Sequence, residues 1–201
     1  MKYDPQKHNR RSFRLQGYDY GQPGAYFITI VAQARECLFG EIHAEEMILN
    51  DAGKMVIRVW ETMPMRFLHI ELGAAAVMPN HFHGIVVIHE SVGPTLSISH
   101  DLISECVITQ NRAGTSPAPT RPTLGEIIGT FKSLTTHEYI KGVETLGWPP
   151  FNKHIWQRNY YEHVIRDAEN WNKIHLYIKA NPAQWGKDEE NPRRGDPCGR
   201  P

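Results

Sequence analysis

His81 and His83, one residue apart in HFHGIVVI (81–88), are the residues best placed to do chemistry. On a strand, positions i and i+2 project from one face. Two imidazoles then stand side by side at a spacing that suits a single metal ion. The same spacing also describes two histidines that merely occupy a strand. Tyr177 and Asn181 form a second pair. Four residues apart on a helix, they share a face, so a phenol and a carboxamide point the same way. If that face overlies the histidine face of the strand, Asn181 becomes a third ligand and Tyr177 stands beside the metal. Otherwise they are a half-buried aromatic and a helix-terminal amide.

A third feature is WQRNYYEHVIRD (156–167). Trp156, Tyr160 and Tyr161 are able to stack on bases, and Arg158 and Arg166 to hold phosphates. An amphipathic strand with core aromatics has the same pattern. Lys132, on the polar side of a helix, is either a phosphate contact or a solvated cation.

The elements that must position these groups are readable from periodicity. AYFITIVA (25–32) is β-branched and aromatic and predicts a strand. Residues 37–49 alternate in short pieces that fit a small hairpin. Asn50 or Asp51 caps a helix to about Met63, with Val56, Val59, Trp60 and Met63 at i, i+3, i+4 and i+7, and Pro64 limits it. HIELGAAAVM (69–78) and HFHGIVVI predict two more strands around the Pro79-Asn80 turn. Phe82, Val86 and Ile88 then face away from the histidines, and Gly84 leaves room for a close neighbour. Thr123 and Glu126 spell a capping box before the stripe Leu124, Ile127, Ile128, Phe131 and Leu134, and Gly142 or Gly147 ends that region. HIWQRNYYEHVI (154–165) predicts a fourth strand. Asp167 caps a last helix bearing Trp171, Ile174 and Ile178, and Pro182 predicts its end near Asn181.

The order is strand, helix, strand, strand, helix, strand, helix. The first six elements spell an α+β, ferredoxin-like (RRM-like) antiparallel sheet with helices on one face. The seventh is an added C-terminal helix, able to lie across the sheet. Residues 1–23 read as a basic extended arm, 24–186 as the domain, 90–122 as a flexible Ser/Thr/Pro-rich insertion within it, and 187–201 as a disordered tail.

Composition narrows the class. The 201 residues are 40% hydrophobic and 22% charged, an ordinary globular balance. Formal net charge is zero, so any affinity for nucleic acid must come from local patches. Lys2, Lys7, Arg10, Arg11 and Arg14 oppose only Asp4 in the arm. Cys37, Cys106 and Cys198 form no CxxC pair, which argues against a zinc ribbon and suits a reducing compartment. No apolar run approaches the roughly 20 residues that span a bilayer, and the N-terminus has no apolar signal core. A cytoplasmic protein without membrane contact is expected.

MPNHFHGIVVI (78–88), FKSLTTHEYIKG (131–142), WQRNYYEHVIRD and LYIKANPAQW (176–185), with the arm RRSFRLQGYDY and GAYFITI, together resemble the REP-associated tyrosine transposases. These belong to the wider group of HUH single-tyrosine transposases. The resemblance spans most of residues 10–186 outside the insertion. It implies that His81 and His83 bind a divalent metal, Mg²⁺ or Mn²⁺, and that Asn181 completes the site. It implies that Tyr177, in the Tyr-x-x-x-Asn-Pro helix, is the catalytic nucleophile. Arg10, Arg11, Arg14, Lys132, Arg158 and Arg166 are the expected DNA contacts. The implied partner is single-stranded DNA with palindromic hairpins, and a monomer or homodimer is expected.

The implied reaction is DNA nicking and strand transfer through a 5′-phosphotyrosine, which conserves the phosphodiester energy for rejoining. One rival is a metallohydrolase that activates water; Gly84, Ile85 and Val86 follow the histidines where further ligands are expected. Another is a non-catalytic DNA-binding protein that keeps the transposase fold.

Overall fold

The structure, a computed structural model, describes residues 19–90 and 122–192. Arg10, Arg11 and Arg14, and nearly all of the insertion, lie outside the described residues.

Strand β1 is Gly24–Val31, and a small hairpin follows from β2 (Gly40–His43) and β3 (Glu46–Leu49). Helix α1 (Asp51–Glu61) starts where Asn50 accepts the Gly53 N–H at 2.9 Å. The short α2 (Met63–Arg66) accommodates Pro64 in its first turn. Strands β4 (Ile70–Val77) and β5 (His81–Ile88) flank the Pro79-Asn80 turn. Helix α3 (Leu124–Leu146) has the expected reciprocal cap: Glu126 N–H donates to Thr123 Oγ1, and Thr123 N–H donates to Glu126 Oε2. Gly147, at φ 69°, ends it in the left-handed region that glycine adopts without strain.

The sheet order is β4-β5-β1-β6, every neighbour antiparallel, with β6 at Tyr161–Ile165. This is the expected ferredoxin-like arrangement. One face buries Tyr26, Ile28, Ile30, Phe82, Val86 and Ile88 under α1 and α3. Trp60 packs edge-on to Phe82 and Phe131, and a Cβ on Gly84 would lie 2.8 Å from the Trp60 ring. The other face carries α4 (Ala168–Gln184), whose Trp171, Ile174 and Ile178 seat on Phe27, Ile85 and Ile165. Gly73 permits that seat: a Cβ there would meet Ile85 at 2.9 Å and Trp171 at 3.2 Å.

Three elements differ from expectation. β6 starts at Tyr161, not His154, because Ile155 and Trp156 plug into the core and the carbonyls of 157–159 turn to the Lys132 ammonium rather than to a ladder. Trp156 keeps a single bridge to Ala32. α4 runs through Pro182 to Gln184. A proline lacks only its own N–H, and one lost bond in the last turn does not stop residues beyond it from bonding back. Finally, the chain stays ordered from Trp185 through residue 192 and folds back toward the start of β5. No helix among the described residues is long and apolar enough to cross a membrane.

Candidate active site

The Pro79-Asn80 turn and the first residues of β5 build the centre of the site. His81 and His83 point to the α4 face, as alternation requires, and both are buried. Their Nε2 atoms lie 2.9 Å apart. Each ring is held from behind. Asn80 Nδ2 donates to the carbonyls of Arg35 and Glu190, so Oδ1 is its accepting end, and His81 Nδ1–H donates to it at 2.9 Å. His81 Nε2 is therefore a lone pair. Thr29 Oγ1, on the neighbouring β1, meets His83 Nδ1 at 2.8 Å. A hydroxyl can donate or accept. With the His83 proton on Nδ1, both Nε2 lone pairs converge on one point; with it on Nε2, His83 donates to His81. Burial lowers the His83 pKa to about 3, and burial with the neighbouring His83 holds His81 well below its usual value. Two neutral imidazoles backed by hydrogen-bonding partners are what a divalent cation requires.

Oxygen donors complete the set. Asn181 is buried on α4, its Nδ2 3.2 Å from His83 Nε2. Its Oδ1 has no hydrogen-bond partner, an unmet buried acceptor of the kind a cation satisfies. Asp188 Oδ2 lies 3.8 Å from His81 Nε2, and ligand atoms of His81, His83 and Asp188 all fall within 4.8 Å of one another. Burial raises the Asp188 pKa, with Glu190 and Glu189 adding to the rise. A buried carboxylate beside two neutral histidines lacks a full counter-charge. The donor set therefore fits a divalent metal with mixed nitrogen and oxygen ligation.

Asp188 falls in the segment whose charge and proline predict a disordered tail. It lies past the end of α4 and the turn at Trp185–Lys187, in extended backbone, so no helical spacing in the sequence marks it.

Tyr177 is 42% exposed and forms one wall of the site, its ring 5.4 Å from His83 and edge-on to Phe27 at 6.0 Å. Burial and then Asp188 raise its pKa, opposed by a hydrogen bond with the Asn181 side chain. A cavity of about 550 Å³ opens here between Tyr177 and Tyr161, with Lys187 and Glu189 at its rim. The structure thus brings His81, His83, Asn181 and Tyr177 to one point.

A relative from Haemophilus influenzae, an uncharacterized protein, is 39% identical over 189 residues, 94% of this chain and 96% of that one. The two belong to one family. The fold matches that of a REP-associated tyrosine transposase solved bound to a REP hairpin, with TM-score 0.52 and 18% identity over 89% of this chain and 76% of that one. The chain thus has the fold of that tyrosine transposase, the fold that the resemblance carried by the motifs implies. A candidate transposase from Deinococcus radiodurans R1 aligns over 84% of this chain and 96% of its own, at TM-score 0.44 and 12% identity. No family profile matches the chain.

The remaining expected contacts in this family member lie away from the centre. Lys132 donates to the carbonyls of Gln157, Arg158 and Asn159 at 2.9–3.2 Å and lies over the Tyr160 ring. It braces the loop that delivers Tyr161, and a phosphate must compete with three carbonyls for it. Arg158 is exposed in a groove of about 370 Å³ beside α3, lined also by His137 and His154 and by no carboxylate. Arg166 is exposed at the far end of β6, in a separate recess with Tyr20 and His163. Trp156 is core: it stacks on Phe39 and donates Nε1–H to Thr135. Tyr161, 52% exposed, is the aromatic of that segment that reaches the cavity.

Proposed function

We propose that this chain is a metal-dependent tyrosine transposase that nicks and transfers DNA strands, with Tyr177 as nucleophile and His81, His83 and Asn181 holding Mg²⁺ or Mn²⁺. The observation that carries this reading is the convergence of two neutral imidazoles, an unmet Asn181 carbonyl and an accessible phenol on one cavity. The metal, when bound, polarises the scissile phosphate and offsets the charge that grows on it. Without a cation, Asp188, Glu189 and Glu190 would repel a phosphodiester from this cavity. Tyr177 Oη bonds to phosphorus as the bond from phosphorus to the 3′-oxygen breaks. The phenol proton leaves to cavity water, and the departing oxygen takes one up as a 3′-hydroxyl. Phe27 and Asn181 hold the ring and the hydroxyl of Tyr177 in place. Tyr161 offers a base a stacking surface, and Arg158, Arg166 and the arm residues Arg10, Arg11 and Arg14 contribute phosphate contacts. Single-stranded DNA flanked by hairpins is the proposed substrate, in keeping with the hairpin-bound structural neighbour.

Asp188 supports a second reading. It supplies the carboxylate that the metallohydrolase alternative lacks in sequence, making a two-histidine, one-carboxylate set. One experiment separates the two. A labelled single-stranded oligonucleotide carrying a hairpin, incubated with Mn²⁺ and run on a denaturing gel, forms a protein-linked band with wild type and none with Tyr177→Phe. Cleavage without attachment, unaffected by Tyr177→Phe, supports the hydrolase. Binding without cleavage supports a DNA-binding protein.

A further inference from the structure

Asn80 is wholly buried and makes three side-chain hydrogen bonds to three different parts of the chain. Its Oδ1 accepts from His81 Nδ1 at 2.9 Å. Its Nδ2 donates to Arg35 O at 3.1 Å and to Glu190 O at 2.8 Å. The strap formed by residues 185–192 has other anchors too. Trp185 is buried with its ring 5.9 Å from His81, Asn191 donates back to Trp185 O, and Arg35 pairs with Glu190 at 2.8 Å. That ion pair is partly exposed and contributes little. The turn at Arg35 is itself unfavourable: Ala34 and Arg35 both take positive φ, 54° and 55°, which non-glycine residues adopt only when the surroundings hold them there.

We infer that Asn80 is a positioning residue that locks His81 in the Nδ1–H tautomer and, through the same amide, fastens the strap that carries Asp188 to the site. Building the nitrogen side of the site and delivering its carboxylate are then one event. The amide has an acceptor for the ligand and one donor for the strap, the other donor holding Arg35 O, so both connections cannot be kept by a residue lacking one of those ends. The coupling is reciprocal. A cation held by His81 and Asp188 must steady the strap, and a loosened strap must weaken the cation. The inference rests on the proposed metal site only for its cation half; the tautomer and the strap are properties of the metal-free chain.

Three measurements test it, none requiring nicking activity. In metal-free protein, ¹⁵N histidine spectra should show His81 protonated at Nδ1. Asn80→Asp keeps the acceptor and removes both donors; it should leave that tautomer in place while amide exchange in 185–192 speeds up at least tenfold. Asn80→Ala should release both the tautomer and the strap and weaken Mn²⁺ binding about 10- to 100-fold. Exchange in β1 and β5 reports whether each variant keeps the sheet. Should both variants fail to fold, wild type decides: Mn²⁺ should slow exchange in 185–192. Unchanged tautomer and strap exchange in folded Asn80→Ala overturn the inference, as does a strap in wild type indifferent to saturating Mn²⁺. A chain that passes these tests but forms no DNA adduct refutes the transposase reading alone.

Discussion

Phe82 and His83 are adjacent in the chain and face opposite sides of β5. On the Phe82 side, aromatic rings from three elements interlock: Trp60 from α1, Phe131 from α3 and Phe82 itself, with ring centroids 4.8–5.2 Å apart. Two helices cover that side, and its polar groups are few. On the His83 side a single helix rests its Ile178 on Phe27, Ile85 and Ile165, and beyond that short apolar seat the surface turns polar and open. The contrast shows a division of labour within one sheet. Apolar packing is concentrated on the face where water is excluded, and the face with the candidate site is held by fewer apolar contacts. A helix so held can shift without unfolding the sheet.

Two truncations test that contrast. Phe82→Ala deletes a ring at the centre of the dry face and should cost about 3–5 kcal/mol, lowering the urea midpoint for the whole chain. Ile178→Ala removes the fully covered residue of α4 and should cost about 2 kcal/mol, the low end for such a change, because the shallow seat can collapse around the gap. Its signature should also be local: faster amide exchange in α4 with β1 and β5 still protected. Equal losses, or global loosening by Ile178→Ala, would mean that both faces share one cooperative core.

The dry face was also the legible one. Asn50, the Thr123–Glu126 cap and the stripe from Leu124 to Phe131 are local signals, each decided within a few residues, and the structure follows them. Alternation in HFHGIVVI placed both histidines on one side because a two-residue period leaves no other option. What sequence could not supply were facts set by distant partners. The β-rich run from His154 is irregular until Tyr161 because Trp156 found a core slot and Lys132 captured three carbonyls. Asp188 sits among charges and prolines whose composition predicts disorder, and it is ordered by Asn80, more than a hundred residues earlier. The polar face carries the candidate site and depends on such long-range ties, so its completion is the part a linear reading misses.

A smaller effect separates the faces by pH. The Phe82 face has no buried group that titrates near neutrality among the described residues, whereas the other face buries two imidazoles. In the unfolded chain each imidazole takes up a proton near pH 6.5. In the folded, metal-free chain burial holds His83 neutral down to about pH 3 and His81 well below its usual value. Between those limits the unfolded state binds more protons, so stability is fully present above pH 6.5 and is lost as pH falls. The slope is up to about 1.4 kcal/mol per pH unit for each imidazole. Asp188 acts in the opposite sense: its raised folded pKa makes the folded state hold a proton longer than the unfolded one, which offsets part of the loss above pH 3.8. Other carboxylates contribute a background common to variants, so the informative quantity is a difference. Urea midpoints from pH 7.5 to 4.5 in the presence of a chelator should fall less steeply for His83→Gln than for wild type, and the two curves should converge toward acid. Parallel curves would mean that His83 takes up its proton at the same pH folded and unfolded, so that burial does not hold the imidazole pair neutral below pH 6.5.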